Sequence, residues 1–155
     1  MAKARQQFLE YLEGMDVDIS VYFFSSPVVT AQDAANATGR PLSSIVKSLI
    51  FQAGEKFVLC LVGGDRRVDE GELKRQTEKG EIIKAHPDYI RKVLGFSVGG
   101  VPPFGHTHTL PTFMDRTLFK RKELFASAGS VYSLFSITPK LLRKLTKAKV
   151  AEISS

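Results

Sequence analysis

The sequence predicts an α/β chain of the α+β kind, with one mixed β-sheet flanked by helices. Three observations carry this prediction. Six short runs rich in β-branched, aromatic and aliphatic residues, at 20–24, 45–52, 56–62, 112–115, 124–127 and 131–137, have the length and composition of strands. Between them lie segments with helical punctuation, an N-cap threonine or an early proline at one end and glycine beyond the other. The two kinds of segment do not alternate strictly, which points to a mixed sheet. At 155 residues the chain suits one compact domain over 1–155, large enough to bury a core without staples.

Each element has its own signal. Residues 3–13 put Phe8, Leu9 and Leu12 on one side of an amphipathic helix that ends at Gly14. Residues 20–24 read as a strand. Thr30 is an N-cap with Asp33 three positions on, opening a helix over 31–38 that Gly39 stops. A second short helix starts near Pro41. Residues 45–52 and 56–62 are strands joined by a turn at Ala53, Gly54 and Glu55. Gly63 and Gly64 break the pattern, and 69–77 reads as a helix with Glu70 and Lys74 spaced to pair. His86-Pro87-Asp88 opens another helix, with Gly95 past its end. Residues 96–105 hold too much glycine and proline for regular structure. Strands at 112–115, 124–127 and 131–137 follow, and Thr138-Pro139 opens a helix to about Thr146.

Apolar residues at 43% and charged residues at 25% are the balance of an ordinary globular protein. The lone cysteine, Cys60, excludes an intrachain disulfide and a cysteine-rich zinc framework. The charged first residues predict no signal peptide, and the longest apolar stretches, such as 57–62, are too short to span a membrane. The expectation is a soluble cytoplasmic protein with no membrane partner. The net charge of +6 is unevenly placed. Residues 1–115 carry 13 basic and 14 acidic side chains, whereas 116–155 carry 9 basic and 2 acidic, a net of +7. Such a segment suits either a polyanionic partner, drawn by Coulomb attraction and counterion release, or a solubilising surface.

Few residues have chemistry to offer. Lys47 begins an apolar strand on the face of Leu49 and Phe51. It either snorkels to water at the sheet edge or points into a cleft as a fixed charge for a phosphate or carbonyl oxygen. The loop 99–105, Gly99-Gly100-Val101-Pro102-Pro103-Phe104-Gly105, is either a rigid turn or a preorganised set of amide donors. It matches neither nucleotide-binding glycine fingerprint. His106 and His108 would share a strand face, but no further ligands accompany them, so no metal site is expected. Cys60, between Leu59 and Leu61, is a core residue rather than a nucleophile. Asp115 is a turn residue, a structural acceptor or a site wall.

Together, residues 30–35 (TAQDAA), 45–51 (IVKSLIF), 99–105 (GGVPPFG), Met114-Asp115 and Ser127-Ala128-Gly129 resemble the YbaK-like family. This is the family of the editing domain inserted in bacterial prolyl-tRNA synthetases and of its free-standing relatives. The resemblance covers about residues 20–150. It implies a mixed, strongly curved sheet flanked by helices, and hydrolysis of the ester of mischarged aminoacyl-tRNA, typically tRNA(Pro) bearing cysteine, alanine or a similar small amino acid. Such a second site is needed because a binding pocket separates amino acids differing by one methylene by only about 1–3 kcal/mol.

The resemblance makes Lys47 the essential lysine, gripping the tRNA 3′ end or aligning the ester. Gly100, with Gly99, Val101, Pro102, Pro103, Phe104 and Gly105, would line the pocket and polarise the ester carbonyl through loop amides. Thr30, Ser48, Asp115, Ser127 and Gly129 would complete the substrate-binding set. It implies no cofactor and no metal, with water as nucleophile, an aminoacyl-tRNA 3′ acceptor end as partner, and a prolyl-tRNA synthetase as a possible second partner. Some relatives carry a Gly-Gly-Lys-Arg-Gly turn where this chain has Ala128-Gly129-Ser130-Val131-Tyr132, so amino-acid specificity does not carry over. The rival expectation is a non-catalytic module of the same fold that holds tRNA or a synthetase. A third is a hydrolase of another small ester or nucleotide.

Overall fold

The structure is a computed structural model that describes residues 2–17, 19–78, 80–106 and 108–155. In chain order the elements are α1 (Ala2–Glu13), β1 (Val21–Phe23), α2 (Ala31–Thr38), a 3₁₀ turn (Leu42–Ser44), β2 (Val46–Ala53) and β3 (Lys56–Gly63). Then come α3 (Glu70–Thr77), β4 (Ile82–Lys84) and α4 (Pro87–Tyr89), which runs on as a π turn over Ile90–Leu94. β5 (Thr112–Asp115), a 3₁₀ helix (Arg116–Lys120), β6 (Leu124–Ser127), β7 (Ser133–Ile137), α5 (Pro139–Thr146) and β8 (Lys149–Ala151) complete the chain.

The helix signals act as their chemistry dictates. At α2 the Thr30 hydroxyl accepts from the Asp33 N–H at 3.0 Å, and the Asp33 carboxylate accepts from the Thr30 and Val29 N–H groups at 3.1 and 3.2 Å. This reciprocal box satisfies amides that the first turn leaves orphaned, and those amides hold the Asp33 carboxyl below its usual range. Gly39 then takes the left-handed conformation (φ 67°) that ends the helix. Thr138 caps α5 with Pro139 in the first turn, and Asp69 caps α3. On α3 the ion pair that forms is Glu72–Arg75, three residues apart, in place of Glu70 with Lys74.

The strands form two hydrogen-bonded sheets where the sequence predicts one. β1, β7 and β6 make an antiparallel three-stranded sheet, and the second runs β4-β2-β3-β5-β8. β2 is antiparallel to β3 and β4, whereas β3–β5 and β5–β8 are parallel. A parallel bridge, Ile45 to Phe125, joins the two sheets. Beyond that bridge β2 diverges from β6, which divides one curved surface into two ladders. β7 starts at Ser133 rather than at 131, because Val131 and Tyr132 are drawn into a turn whose Tyr132 N–H donates to the Ser130 hydroxyl. β4 and β8, three residues each, lie at the two edges and were not anticipated.

β3 is buried on both faces from Val58 to Gly63, which is why it reads as a continuous apolar run rather than as alternation, whereas β2 is only partly buried over residues 47–49. Val46, Ile50, Leu59 and Leu61 join the main core with Phe96, Phe104, Met114, Phe135 and Leu142. Phe51, Val58, Cys60 and Val62 pack with Leu73, Phe113 and Ile153. A third cluster under α2 unites Val28, Ala34, Ile45, Phe125 and Leu134. α1 closes the main core through Phe8, whose ring centre lies 5.3 Å from Phe104 and 5.2 Å from Phe135. Burial of such a ring contributes about 1.5–3 kcal/mol. Cys60 is fully buried, and burial pushes its thiol up to about 12, as befits a core side chain. Among the described residues no helix is long and apolar enough to cross a membrane.

Candidate active site

A cleft of about 650 Å³ opens where the two sheets part. Ile45, just before β2, bridges Phe125 of β6, and β4 pairs with β2 only over Phe51–Ala53. Between these points the edge of β2 is uncovered, and residues 46–51 form the cleft floor. The Ile50 carbonyl on this edge accepts from the Ala85 N–H at 2.9 Å. In an antiparallel strand every second residue turns its backbone groups the same way, so the N–H and C=O of Ser48 face the cleft. Val28–Ala31 wall one side, Lys84–Pro87 the other, and Val98, Gly99, Val101, Ser127 and Leu134 close the remainder. The lining is mainly apolar, with Thr30, Lys47, Ser48, Lys84, His86 and Ser127 as its polar members.

Lys47 contributes to this lining and donates from Nζ to the backbone carbonyl of Arg66. Burial, foremost, lowers its pKa; the Arg67 and Lys84 cations act in the same direction and Asp65 opposes them. A half-buried ammonium beside two other cations is a preformed site for negative charge. Next to it, the Ser48 Oγ is buried and has no hydrogen-bond partner among the described residues. Such a group is costly unless something binds it.

The carbonyl that holds Lys47 is itself held. The Arg66 guanidinium donates to the Ser154 hydroxyl at 2.8 Å and to the Ser154 carbonyl at 3.2 Å. Arg67 and Ser155 exchange two backbone hydrogen bonds, at 3.1 and 2.9 Å, and the Asp69 N–H donates to the Ile153 carbonyl at 2.7 Å. The Ile153 N–H donates in turn to Asp115 Oδ1 at 3.0 Å. Residues 153–155 thus strap down the 66–69 loop. Asp115 is 1% exposed, caps the following 3₁₀ helix through Thr117, and does not line the cleft. Its structural work accounts for its burial: it anchors the strap two steps behind Lys47.

The glycine loop divides in the same way. Gly99 (φ 88°) and Val101 line the cleft, and a Cβ on Gly99 would lie 2.9 Å from the Val29 carbonyl oxygen. Gly100 turns away from it: its N–H is spent on the Ser97 carbonyl at 2.8 Å, and its missing Cβ faces the Ser130 backbone. An amide donor role for Gly100 therefore has no geometric support. Pro102, Pro103, Phe104 and Gly105 also lie outside the lining. Phe104 fills the main core, and Gly105 abuts the rings of Phe8 and Tyr11. The Pro102 carbonyl lies 2.6 Å from His106 Nε2. Burial lowers the His106 pKa, so the neutral ring donates that bond and braces the loop against Phe96. Gly129 (φ 97°) presses on α1, where a Cβ would meet the Ala4 carbonyl at 3.0 Å.

The fold thus brings together Thr30, Lys47, Ser48, Gly99, Val101 and Ser127, and it places Gly100, Pro102, Pro103, Phe104, Gly105, Asp115 and Gly129 elsewhere. Lys84 and His86 enter the cleft unanticipated. The proline-started helix after them was legible, but their approach to β2 depends on the pairing of Phe51 with Lys84, which no local signal announces. His108 is exposed, and among the described residues no three His, Cys, Asp or Glu side chains converge as metal ligands. Thr107, between the two histidines, lies outside the described residues.

A model of the aminoacyl-tRNA editing domain family matches residues 25–145. Uncharacterized protein YwhH of Bacillus subtilis (strain 168) is 32% identical over 128 residues, spanning 82% of this chain and 81% of that protein. The proline–tRNA ligase of Fervidobacterium nodosum is 38% identical over 96 residues, 62% of this chain but only 16% of the ligase. A crystal structure described provisionally as a trans-editing enzyme for prolyl tRNA synthetase superposes with a TM-score of 0.92 at 35% identity, covering 100% of this chain and 99% of that one. Hypothetical protein APE2540 superposes with a TM-score of 0.90 at 26% identity. A family match over most of the chain, joined to near-complete structural overlap, assigns this chain to the YbaK-like aminoacyl-tRNA editing domain family, whose members are deacylases.

Proposed function

We propose that this chain acts in trans, in the cytoplasm, on the 3′ end of mischarged tRNA(Pro), releasing a small amino acid such as alanine or cysteine. The observation that carries the reading is the convergence, in one largely apolar cleft, of the tethered Lys47 and the uncovered edge of β2 at Ser48. Lys47 holds the terminal phosphate as a fixed charge. The Ser48 N–H polarises the ester carbonyl. Removal of one preorganised donor of this kind typically costs 10²–10³-fold in rate. Water adds to the ester carbonyl; the acyl C–O bond breaks, leaving the free amino acid and the tRNA terminal hydroxyl, which takes the proton. Val28, Val29 and Ala34 face the acyl side chain and favour a small apolar group. A prolyl-tRNA synthetase is the natural source of the mischarged tRNA, and the similarity to proline–tRNA ligases supports that pairing.

The test is deacylation, by purified protein, of a panel of tRNAs charged with matched and mismatched amino acids. Selective release of a small amino acid from tRNA(Pro) is expected. Tight tRNA binding with no release from any member would establish the non-catalytic module instead.

A further inference from the structure

The basic C-terminal quarter is a second candidate for work, because the cleft uses none of its nine cations. Four of them, Lys140, Arg143, Lys144 and Lys147, line a separate groove of about 670 Å³ between α5 and the 3₁₀ helix, with Phe119, Thr138, Leu141 and Ala148 as its other walls. Among the described residues no acidic side chain lines it. All four cations are exposed, and none has an ionic or hydrogen-bonding side-chain partner among the described residues. Phe119 leaves 40% of its surface open in the same place.

Stability of the helix does not account for this arrangement. Arg143 and Lys144 in the last turn of α5 do complement the helix dipole, but Lys140 sits in the first turn, where a cation is unfavourable, and that turn has no acidic residue to offset it. Lys147 occupies the left-handed C-cap (φ 55°), a position that glycine adopts more readily. Lys140 is therefore the cation that the helix dipole does not explain, and all four cations share the groove.

We propose that this groove binds the phosphodiester backbone of the tRNA substrate, away from the acylated end. The proposal rests on the reading of the cleft as an aminoacyl-tRNA site. α5 is about 12 Å long, enough for its cations to face two or three consecutive phosphates of one strand. The groove and the cleft share no lining residue: the cleft lies at the free edge of β2, the groove beside Ala148, where the chain enters β8. Three strand spacings separate β2 from β8, about 14 Å. An RNA held at both places has its 3′ end fixed by one and its body by the other. The cleft then reads the acyl group while the groove supplies sequence-independent affinity.

The experiment compares wild type with Lys140→Gln/Arg143→Gln/Lys144→Gln, and with Lys3→Gln/Lys56→Gln/Lys92→Gln, which removes three exposed cations elsewhere. Two quantities are read: the salt dependence of binding to uncharged tRNA, and kcat/KM on mischarged tRNA against a minimal aminoacyl-adenosine ester. Circular dichroism melting checks that each variant is folded. The groove variant is expected to bind tRNA about tenfold or more weakly, with a log–log salt slope flatter by roughly 2–3. Its loss of kcat/KM should appear on the tRNA and not on the minimal ester, and the control should match wild type. An unchanged slope in the groove variant, or equal flattening in the control, overturns the proposal and assigns the charges to solubility. The binding arm needs no catalysis, so wild type that binds tRNA through the groove yet hydrolyses neither ester would refute the cleft reading alone.

Discussion

Arg66→Ala tests the strap behind Lys47. The substitution keeps the backbone carbonyl that accepts from Lys47 Nζ but removes the guanidinium that ties it to Ser154 through contacts of 2.8 and 3.2 Å. Each such bond contributes about 0.5–1.5 kcal/mol net, so the local hold weakens by about 1–3 kcal/mol. In a chain of this size that corresponds to a fall in Tm of roughly 2–12 °C. The remaining ties, Arg67 with Ser155 and Asp69 with Ile153, keep the loop in place on average but let it move. A displacement near 1 Å at a positioned group can cost up to about 10²-fold in rate. The expected result is a kcat lower by roughly tenfold with KM little changed, measured by steady-state deacylation of mischarged tRNA(Pro). Ser154→Ala, which keeps the Arg66 charge, should show a smaller loss of the same kind. A lower Tm with kcat untouched would make the strap purely structural. A loss in Arg66→Ala with none in Ser154→Ala would mean that the charge itself meets the substrate.

Two further outcomes follow from the cleft and its supports. Burial holds Lys47 below the ordinary lysine value near 10.4, so enzymatic deacylation, corrected for spontaneous ester hydrolysis, should fall on an alkaline limb below that value. Between the lowered folded value and the unfolded one the folded chain binds fewer protons, so the contribution of Lys47 to stability rises with pH there, and Lys47→Met removes it. Gly129→Ala places a Cβ 3.0 Å from the Ala4 carbonyl at a φ of 97°, which should cost about 1–3 kcal/mol by thermal melting while the folded fraction keeps its kcat.

Local chemistry made most of the fold legible. Thr30 with Asp33, Gly39, Thr138 with Pro139, and the Gly54 turn each fix their own element through caps or left-handed backbone, and they need no distant partner. What stayed hidden depends on pairing across the chain. β4 and β8 are three-residue edge strands that exist because Phe51 meets Lys84 and Met114 meets Val150. The division into two sheets follows from where β2 leaves Phe125, a geometric event with no residue signal. The site shows the same split. Lys47 stood out as a cation in an apolar strand. The glycine loop did not reveal which of its residues face the cleft, because Gly99 and Gly105 share a left-handed conformation for different neighbours, Val29 and α1. Asp115 looked like a site residue because a buried carboxylate and a catalytic one carry the same letter.

On this reading the cleft around Lys47 hydrolyses the ester. Single-turnover deacylation of mischarged tRNA(Pro), with wild type, Lys47→Ala and Lys47→Arg side by side and a melting curve on each sample, tests it most directly. Wild type should accelerate release well above the spontaneous rate. Lys47→Ala should lose roughly 10²–10³-fold in rate. It should melt close to wild type, since it forfeits only one hydrogen bond, to the Arg66 carbonyl. Lys47→Arg should recover part of the rate, its planar guanidinium matching the charge but not the position of the ammonium. Full activity in Lys47→Ala would contradict the account.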